Sequence, residues 1–462
     1  MKLTIKKGSE NYCCTVVKIN KVFDIKDADN IKRVNVLGND VVVSKDVKDG
    51  DIMLYFVSGT KLDYQFCSYN NLFTDNTLNI DTTKKGYISP KNCRVKAVKL
   101  RGCISDGILL PITSLNYIKN LGLFSIGDNF TDINGVPICE KYIVVSTVKS
   151  NNKLRSVKKF KKLIDNQFSF HNDTADLRRN IHKLNPDNII GIHYKKHGTS
   201  VVIGNLLTNR RLSWFEKLLK RLGININDRE YDIIYSSRKV VKSELNAEHS
   251  YYNEDIWGVV SKEVSHLIPK NWTLYGEILG YLPTGKAIQS MKNVAFDYGC
   301  NIGEHKFYVY KISIVNPDGK VIYLTDKQIQ EWCDKVGLLY SDTFIYYDKA
   351  INFSGDALLN EISREVANDE LKKQGRPLIE FNVEKWRELF LQDLENKYNE
   401  KDCYMCTNKV PEEGIVLRIE SLDEYEAYKL KSRRFILGES DDQENEVLNI
   451  EDQVCENDLK LA

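Results

Sequence analysis

No long segment of the first 148 residues carries an apolar period of 3.6, so this part of the chain has no helix from which to build a core. TVVKIN, RVNVLG, DVVVSK, DIMLYFV and RVKAVKL are instead rich in Val, Ile and aromatics, with Gly38, Gly50, Gly59 and Gly102 between them. They predict short strands joined by turns. Short strands without covering helices bury apolar surface by closing on themselves, so a small β-barrel is expected over 1–148. Asp63 to Pro90 matches no strand pattern and reads as a long loop.

A basic linker, 149–170, follows. Lys149, Lys153, Arg155, Lys158, Lys159, Lys161 and Lys162 precede its first acid, Asp165, and serve either as a solvated tether or as a phosphate contact. Over 171–437 the pattern is mixed. LSWFEKLLKRLG (212–223) and VEKWRELFLQDLENKY (383–398) carry helical periodicity, among strand-like pieces such as NIIGIHYK, TSVVIGN, WTLYGEILGY, KFYVYKISIV and GIVLRI. Interleaved strands and helices predict one α+β domain. Residues 438–462 are acidic and read as a solvated tail.

With 42% hydrophobic and 28% charged residues the 462-residue chain has the balance of a folded protein, long enough for two or three cores. Lys+Arg 66 against Asp+Glu 64 leaves net +2, so any basic surface is regional. No run of about 18 apolar residues occurs. A cytoplasmic monomer with no membrane partner is the expectation. The eleven cysteines are scattered and read as buried thiols of a reducing compartment. Cys403 and Cys406 have C-x-x-C spacing but no second pair nearby, which favours two ordinary thiols over a metal site.

Chemistry concentrates in a series of short motifs. Tyr194-Lys195-Lys196-His197-Gly198-Thr199-Ser200 lies between two strand-like runs, and a lysine beside a glycine turn can approach a phosphate closely. Ser237-Arg238-Lys239, Tyr275-Gly276-Glu277, Phe307-Tyr308-Val309-Tyr310, Glu413-Gly414-Ile415-Val416 and Lys429-Leu430-Lys431 follow in that order. Each alone also reads as ordinary surface or core. Together the series resembles the nucleotidyltransferase signature of ATP-dependent RNA and DNA ligases and mRNA capping enzymes. K-x-H-G followed by Thr-Ser is more similar to RNA ligases, since DNA ligases usually place arginine where Ser200 stands. Upstream, VLGNDVVVSKDVKDGDIMLYFVSGTKL and RVKAVKLRGCISDGILLPI resemble the N-terminal OB module of one RNA ligase branch. Residues 174–180 resemble the start of that branch's catalytic domain, and the likeness covers roughly 1–435. Four positions depart from it: Tyr194, His197, Lys311 and Asp173 stand where relatives carry other residue types.

The resemblance implies an N-terminal OB-like barrel followed by a nucleotidyltransferase (ATP-grasp-like ligase) domain of antiparallel sheets and helices. It implies an ATP-dependent RNA ligase that joins RNA 3′-OH and 5′-phosphate ends through lysyl-AMP on Lys195. Lys429 and Lys431 would meet the α-phosphate, and Glu277 and Glu413 would serve Mg2+ (or Mn2+) and the ribose. His197, Gly198, Ser200, Arg238, Tyr310 and Val416 would line the nucleotide. In the β module, Arg94, Lys96, Lys99 and Arg101 alternate with apolar residues, the pattern of a stripe that tracks an RNA backbone. A DNA ligase or a GTP-dependent capping enzyme shares the lysine chemistry, but usually carries its OB domain after the last motif. Too few residues follow Lys431 here for such a barrel. A non-catalytic RNA-binding protein with a decayed transferase domain is disfavoured because every charged motif position is filled.

Overall fold

The computed structural model describes residues 1–143, 163–171, 174–238, 241–242, 255–341, 346–398 and 400–444. Most of the basic linker, Asp173 and the chain beyond 444 lie outside the described residues. The described chain forms two compact units, residues 1–143 with helix Arg433–Glu444, and residues 163–432.

In the first unit, strands β1 (Cys14–Lys18), β4 (Ile52–Phe56) and β7 (Ile108–Pro111) pair antiparallel in the order β7-β4-β1, with β2 (Ile31–Val36) and β3 (Asn39–Ser44) forming a hairpin in a separate sheet. The Cys14–Val17 run is buried throughout because both faces of its sheet are covered. Cys14, Val16, Leu54 and Phe56 join one core with Phe66, Phe73 and Phe130, while Val17, Met53 and Tyr55 join another with Val34, Val36 and Val41. The described strands do not close into a barrel. They remain in several short sheets, and non-strand segments complete the core. Helix α1 (Tyr64–Tyr69), capped by Asp63, contributes Phe66 and Cys67, and Leu72, Phe73 and Ile88 follow from the segment expected to be loop. One turn and a half of helix is too short to register as a period.

Helix Arg433–Glu444 belongs to this unit and continues past 438, the expected start of the tail. Its Phe435 is fully buried, and Arg433 pairs with Asp40 at 2.6 Å.

In the second unit, β9 (Thr199–Asn209) is flanked by β10 (Arg229–Ser236) and β11 (Trp272–Gly280), and β11 by β12 (His305–Val315). A second sheet has the order Ala175–Asp176, β15 (Glu426–Lys431), β14 (Gly414–Ile419), β8 (Ile189–Tyr194), β13 (Tyr346–Lys349). One face of the first sheet, with Val201, Ile203, Leu274, Ile278 and Val309, packs on α3 (Ile256–Val264) and α4 (Asp326–Val336). One face of the second, with Ile190, Ile192, Ile415, Leu417 and Leu430, packs on α5 (Asp356–Lys373) and α6 (Val383–Tyr398). Side chains alternate along a strand, so the opposite faces carry Ser200, Glu277 and Tyr308 on one sheet and His193, Val416, Lys429 and Lys431 on the other. Strand β8 runs directly into β9, and the connecting turn 195–198 is where these polar faces meet. Of the described cysteines only Cys103 and Cys406 are not buried.

Candidate active site

The 195–198 turn is held by its backbone. Lys195 N–H donates to Gly414 O at 2.8 Å, His197 N–H to the Tyr298 hydroxyl at 2.5 Å, and Gly198 N–H to Glu277 Oε1 at 3.1 Å. Gly198 O accepts from Gln289 Nε2 at 2.7 Å. A Cβ at Gly198 would lie 2.3 Å from Ile278 O and 2.5 Å from Leu279 Cδ2, so no side chain fits there.

Of the two lysines on this turn, Lys195 reaches the polar cleft. Its Nζ lies 2.9 Å from Glu413 Oε1, and its side chain keeps 24% exposure. Lys196 is buried instead, with Nζ 4.9 Å from the centre of the Tyr308 ring. Glu413 is buried and faces three basic groups: Lys195, Lys431 at 3.9 Å and His197 Nδ1 at 3.7 Å. Its carbonyl accepts from Ser432 N–H at 2.9 Å, which fixes the start of β14. Gly414 follows with φ +132°, and a Cβ there would meet Leu430 O at 2.1 Å.

Lys431 stands opposite Gly414, and Lys429 lies on the same face of β15, paired with Val416 on one side and with Asp176 on the other. Ser200 stands opposite Glu277 on β11. Tyr310 sits at a β-bulge on β12, and its hydroxyl is 2.7 Å from His171 Nδ1. Val416, half-buried, is paired with His193. Arg238, also half-buried, follows β10 at the hairpin end where Ser236 pairs with Val202, the end nearest Ser200.

Several residues outside the expected site support this arrangement. Buried Arg178 donates from Nε to Glu395 at 2.8 Å and from Nη2 to Lys431 O at 3.3 Å, fixing the strand that carries both lysines. Glu412 is buried beside Glu413. Burial above all, with the nearby Cys403 thiol and Glu413, pushes its carboxyl up to about 9, an effect that Lys196 partly offsets. Cys403 makes a hydrogen bond with Cys406, which together with burial raises its own thiol. Among the described residues no three His, Cys, Asp or Glu side chains gather as a metal site. On β8, just before the turn, His193 Nε2 lies 2.6 Å from Asp326 Oδ2, and Arg418 donates to Asp326 Oδ1 at 2.8 Å. Lys311 is buried among Tyr275, Tyr425 and Tyr323, with Nζ 4.1, 4.5 and 4.9 Å from their ring centres. Burial, and then Arg418, lower its ammonium to about 8. Arg178 lies within the 174–180 motif, Lys311 among the four departures and Cys403 in the C-x-x-C pair; of the others only Asp326, as the first residue of a capped helix, leaves a local trace in the sequence.

The basic stripe of the first unit needs correction. Arg94 is buried. Its guanidinium donates to Ser440 O at 3.5 Å and Oγ at 3.4 Å on helix Arg433–Glu444 and lies 5.4 Å from the Tyr142 ring centre, so it faces protein and not solvent. Lys96 is half-buried, whereas Lys99, on β5 (Ala97–Leu100), and Arg101, in the turn to β6 (Cys103–Asp106), are exposed. Val98 and Leu100 are exposed beside them instead of entering the core.

A family model described as an OB-fold domain matches residues 13–112. No curated protein matches the chain. Among solved structures, Naegleria gruberi RNA ligase with PPi is 18% identical at a TM-score of 0.53, covering 93% of this chain and 98% of that one. A variant of the same ligase with ATP and Mn is 16% identical at a TM-score of 0.52, covering 96% and 100%. A variant with AMP and Mn is 17% identical at 0.51, covering 92% and 97%. The chain has the RNA ligase fold. Agreement at this coverage extends through both units of that fold, and the OB-fold match falls within the first.

Proposed function

We propose that the protein is an ATP-dependent RNA ligase that joins RNA 3′-OH and 5′-phosphate ends. The observation that carries the reading is the convergence of Lys195, Lys431 and Glu413 at the junction of two polar sheet faces. In its unprotonated form the Lys195 amine attacks the ATP α-phosphate and pyrophosphate leaves, giving lysyl-AMP. An RNA 5′-phosphate oxygen then attacks the same phosphorus, and Lys195 departs. The 3′-OH finally attacks the 5′-phosphorus, forming the phosphodiester and releasing AMP. Each step is an in-line displacement, so the protein's part is positioning and charge neutralisation.

Lys431 and Lys429 project from one strand face as cations for the α-phosphate. Glu277 and the turn amides of His197 and Gly198 set the register of Lys195. Tyr310 and Val416 supply an aromatic and an aliphatic surface for the base, and Arg238 and Ser200 supply polar groups at the same end of the cleft. Glu413 suits a divalent ion, because its Oε2 is buried with no hydrogen-bond partner among the described residues. An ion bound there through Glu413 and phosphate oxygens, with Mg2+ the hard-ligand choice, would offset charge on the reacting phosphate. Lys99 and Arg101, with Lys96, are the remaining cations of the first unit proposed to contact RNA.

The test is covalent labelling by α-labelled nucleotide in the presence of Mg2+. ATP labels the wild-type chain, Lys195→Ala abolishes the label, and Lys196→Ala retains it. Labelling by GTP instead supports a capping enzyme, and no label from either nucleotide supports a non-catalytic protein. Sealing of nicked RNA and nicked DNA separates the two ligase classes.

A further inference from the structure

Helix α2 (Trp214–Arg221) crowns the hairpin of β9 and β10 and turns large apolar side chains outward. Trp214 is 77% exposed and Leu222 69%, and Phe215, Leu218 and Ile224 are exposed as well. A loosely attached helix could expose such residues by accident, but this one is fixed at both ends. Ser213 and Glu216 form a reciprocal cap, Leu222 N–H bonds Leu218 O at 3.1 Å, and Ile224 N–H bonds Leu219 O at 3.1 Å. Arg210 holds Glu216 and the Asn227 carbonyl, and Lys220 holds Asp228. Of the leucines of this segment, Leu212 and Leu219 are half-buried. The outward set is therefore built into the local structure.

Its pattern is specific. Phe215, Leu218 and Leu222, spaced three and four apart, form one stripe, and Trp214, Lys217 and Arg221 form the next. The only acids between 209 and 229, Glu216 and Asp228, are both paired within the segment. Arg211, Lys217 and Arg221 have no ion-pair partner among the described residues. Bulky apolar side chains bordered by uncommitted cations, with no uncommitted acid, match an interfacial helix.

We propose that α2 is a peripheral contact for an anionic lipid bilayer. Trp214, Phe215, Leu218, Leu222 and Ile224 enter the headgroup boundary, and Arg211, Lys217 and Arg221 meet the phosphates. RNA satisfies the cations and the two aromatic rings, but aliphatic Leu218, Leu222 and Ile224 offer no flat face for a base. A second copy would set the same three cations against one another. No helix among the described residues is long and apolar enough to cross a membrane, so the contact is one of surface only. It is independent of the ligase reading. Asn209 pairs with Arg229 at the far end of the hairpin, roughly 37 Å along β9 from the lysine turn at ~3.4 Å per residue.

The experiment is co-flotation of the full chain with phosphatidylcholine vesicles, with and without phosphatidylserine, at low and high salt. Binding that requires phosphatidylserine and weakens with salt is expected. Arg211→Gln, Lys217→Gln and Arg221→Gln should each weaken it about fivefold, and Phe215→Gln with Leu222→Gln tenfold or more, while ATP labelling of the same preparations stays unchanged. Failure of the wild-type chain to float with anionic vesicles overturns the proposal, whatever the variants do. So does vesicle binding that the cation variants leave intact. Loss of RNA affinity in the variants without vesicle binding by the wild type would assign α2 to nucleic acid, and concentration-dependent dimers that the variants abolish would assign it to self-association.

Discussion

Lys195 Nζ lies 2.9 Å from Glu413 Oε1, although the two residues come from opposite ends of the second unit. The backbone bond from Lys195 N–H to Gly414 O repeats the same juxtaposition one residue along, so the pair is set by strand pairing and not by side-chain chance. Lys431 at 3.9 Å from the same carboxylate oxygen adds a second cation.

Glu413→Gln keeps the shape of the side chain and removes its charge. Both lysine adenylation and sealing of pre-adenylated RNA should slow, with partial recovery at high Mg2+ or Mn2+. Lys429→Ala and Lys431→Ala should each cost on the order of 10²-fold or more without such recovery, because a cation aimed at the phosphate is lost. Single-turnover rates over a metal titration make the comparison. Equal recovery of all three variants counts against this division.

Gly198→Ala introduces a Cβ where Ile278 O and Leu279 leave no room. The turn must move, so adenylation should fall by at least tenfold even in preparations that remain folded. Strain of this kind costs on the order of 1–3 kcal/mol. Thermal unfolding and labelling on one sample check both effects, and normal labelling would show that the register of Lys195 does not depend on the turn.

Arg94→Ala should destabilise the first unit by about 1–3 kcal/mol, since it removes the buried donor to Ser440 O and leaves Ser440 Oγ only the Ala97 N–H. It should leave the salt dependence of RNA binding unchanged. Lys99→Ala and Arg101→Ala should do the reverse, with little change in melting temperature and a shallower salt slope, each by about one charge. A flattened slope in the Arg94 variant would restore Arg94 to the RNA surface.

Glu412 gives a pH dependence whose sign follows from its raised carboxyl. Between its ordinary value near 4.5 and about 9, the folded chain holds a proton that the unfolded chain has released. Its contribution to stability is therefore complete below about 4.5 and declines as pH rises, until the folded carboxyl also ionises near 9. Glu412→Gln removes this decline. The variant should melt on the order of 10 °C above wild type at pH 8 and show little gain at pH 5. Melting curves over that range check it, and a pH-independent difference would place the effect in packing.

The motif order was legible in the sequence because each element is local: a glycine turn after a strand, a carboxylate before a strand, alternate lysines on one face. The helices at 212–223 and 383–398 were legible because their periods are long enough to recognise. Local pattern also set the N-terminal strands, whereas the contribution of α1, Leu72, Phe73 and Ile88 to their core depended on tertiary packing. The K-x-H-G register singles out Lys195 in the sequence, but tertiary structure alone decided that it meets Glu413 while Lys196 is buried against the Tyr308 ring. It likewise decided that Arg94 is a buried support and not a phosphate contact. Its partner Ser440 lies hundreds of residues away, and burial by a distant segment leaves no mark on the strand it covers.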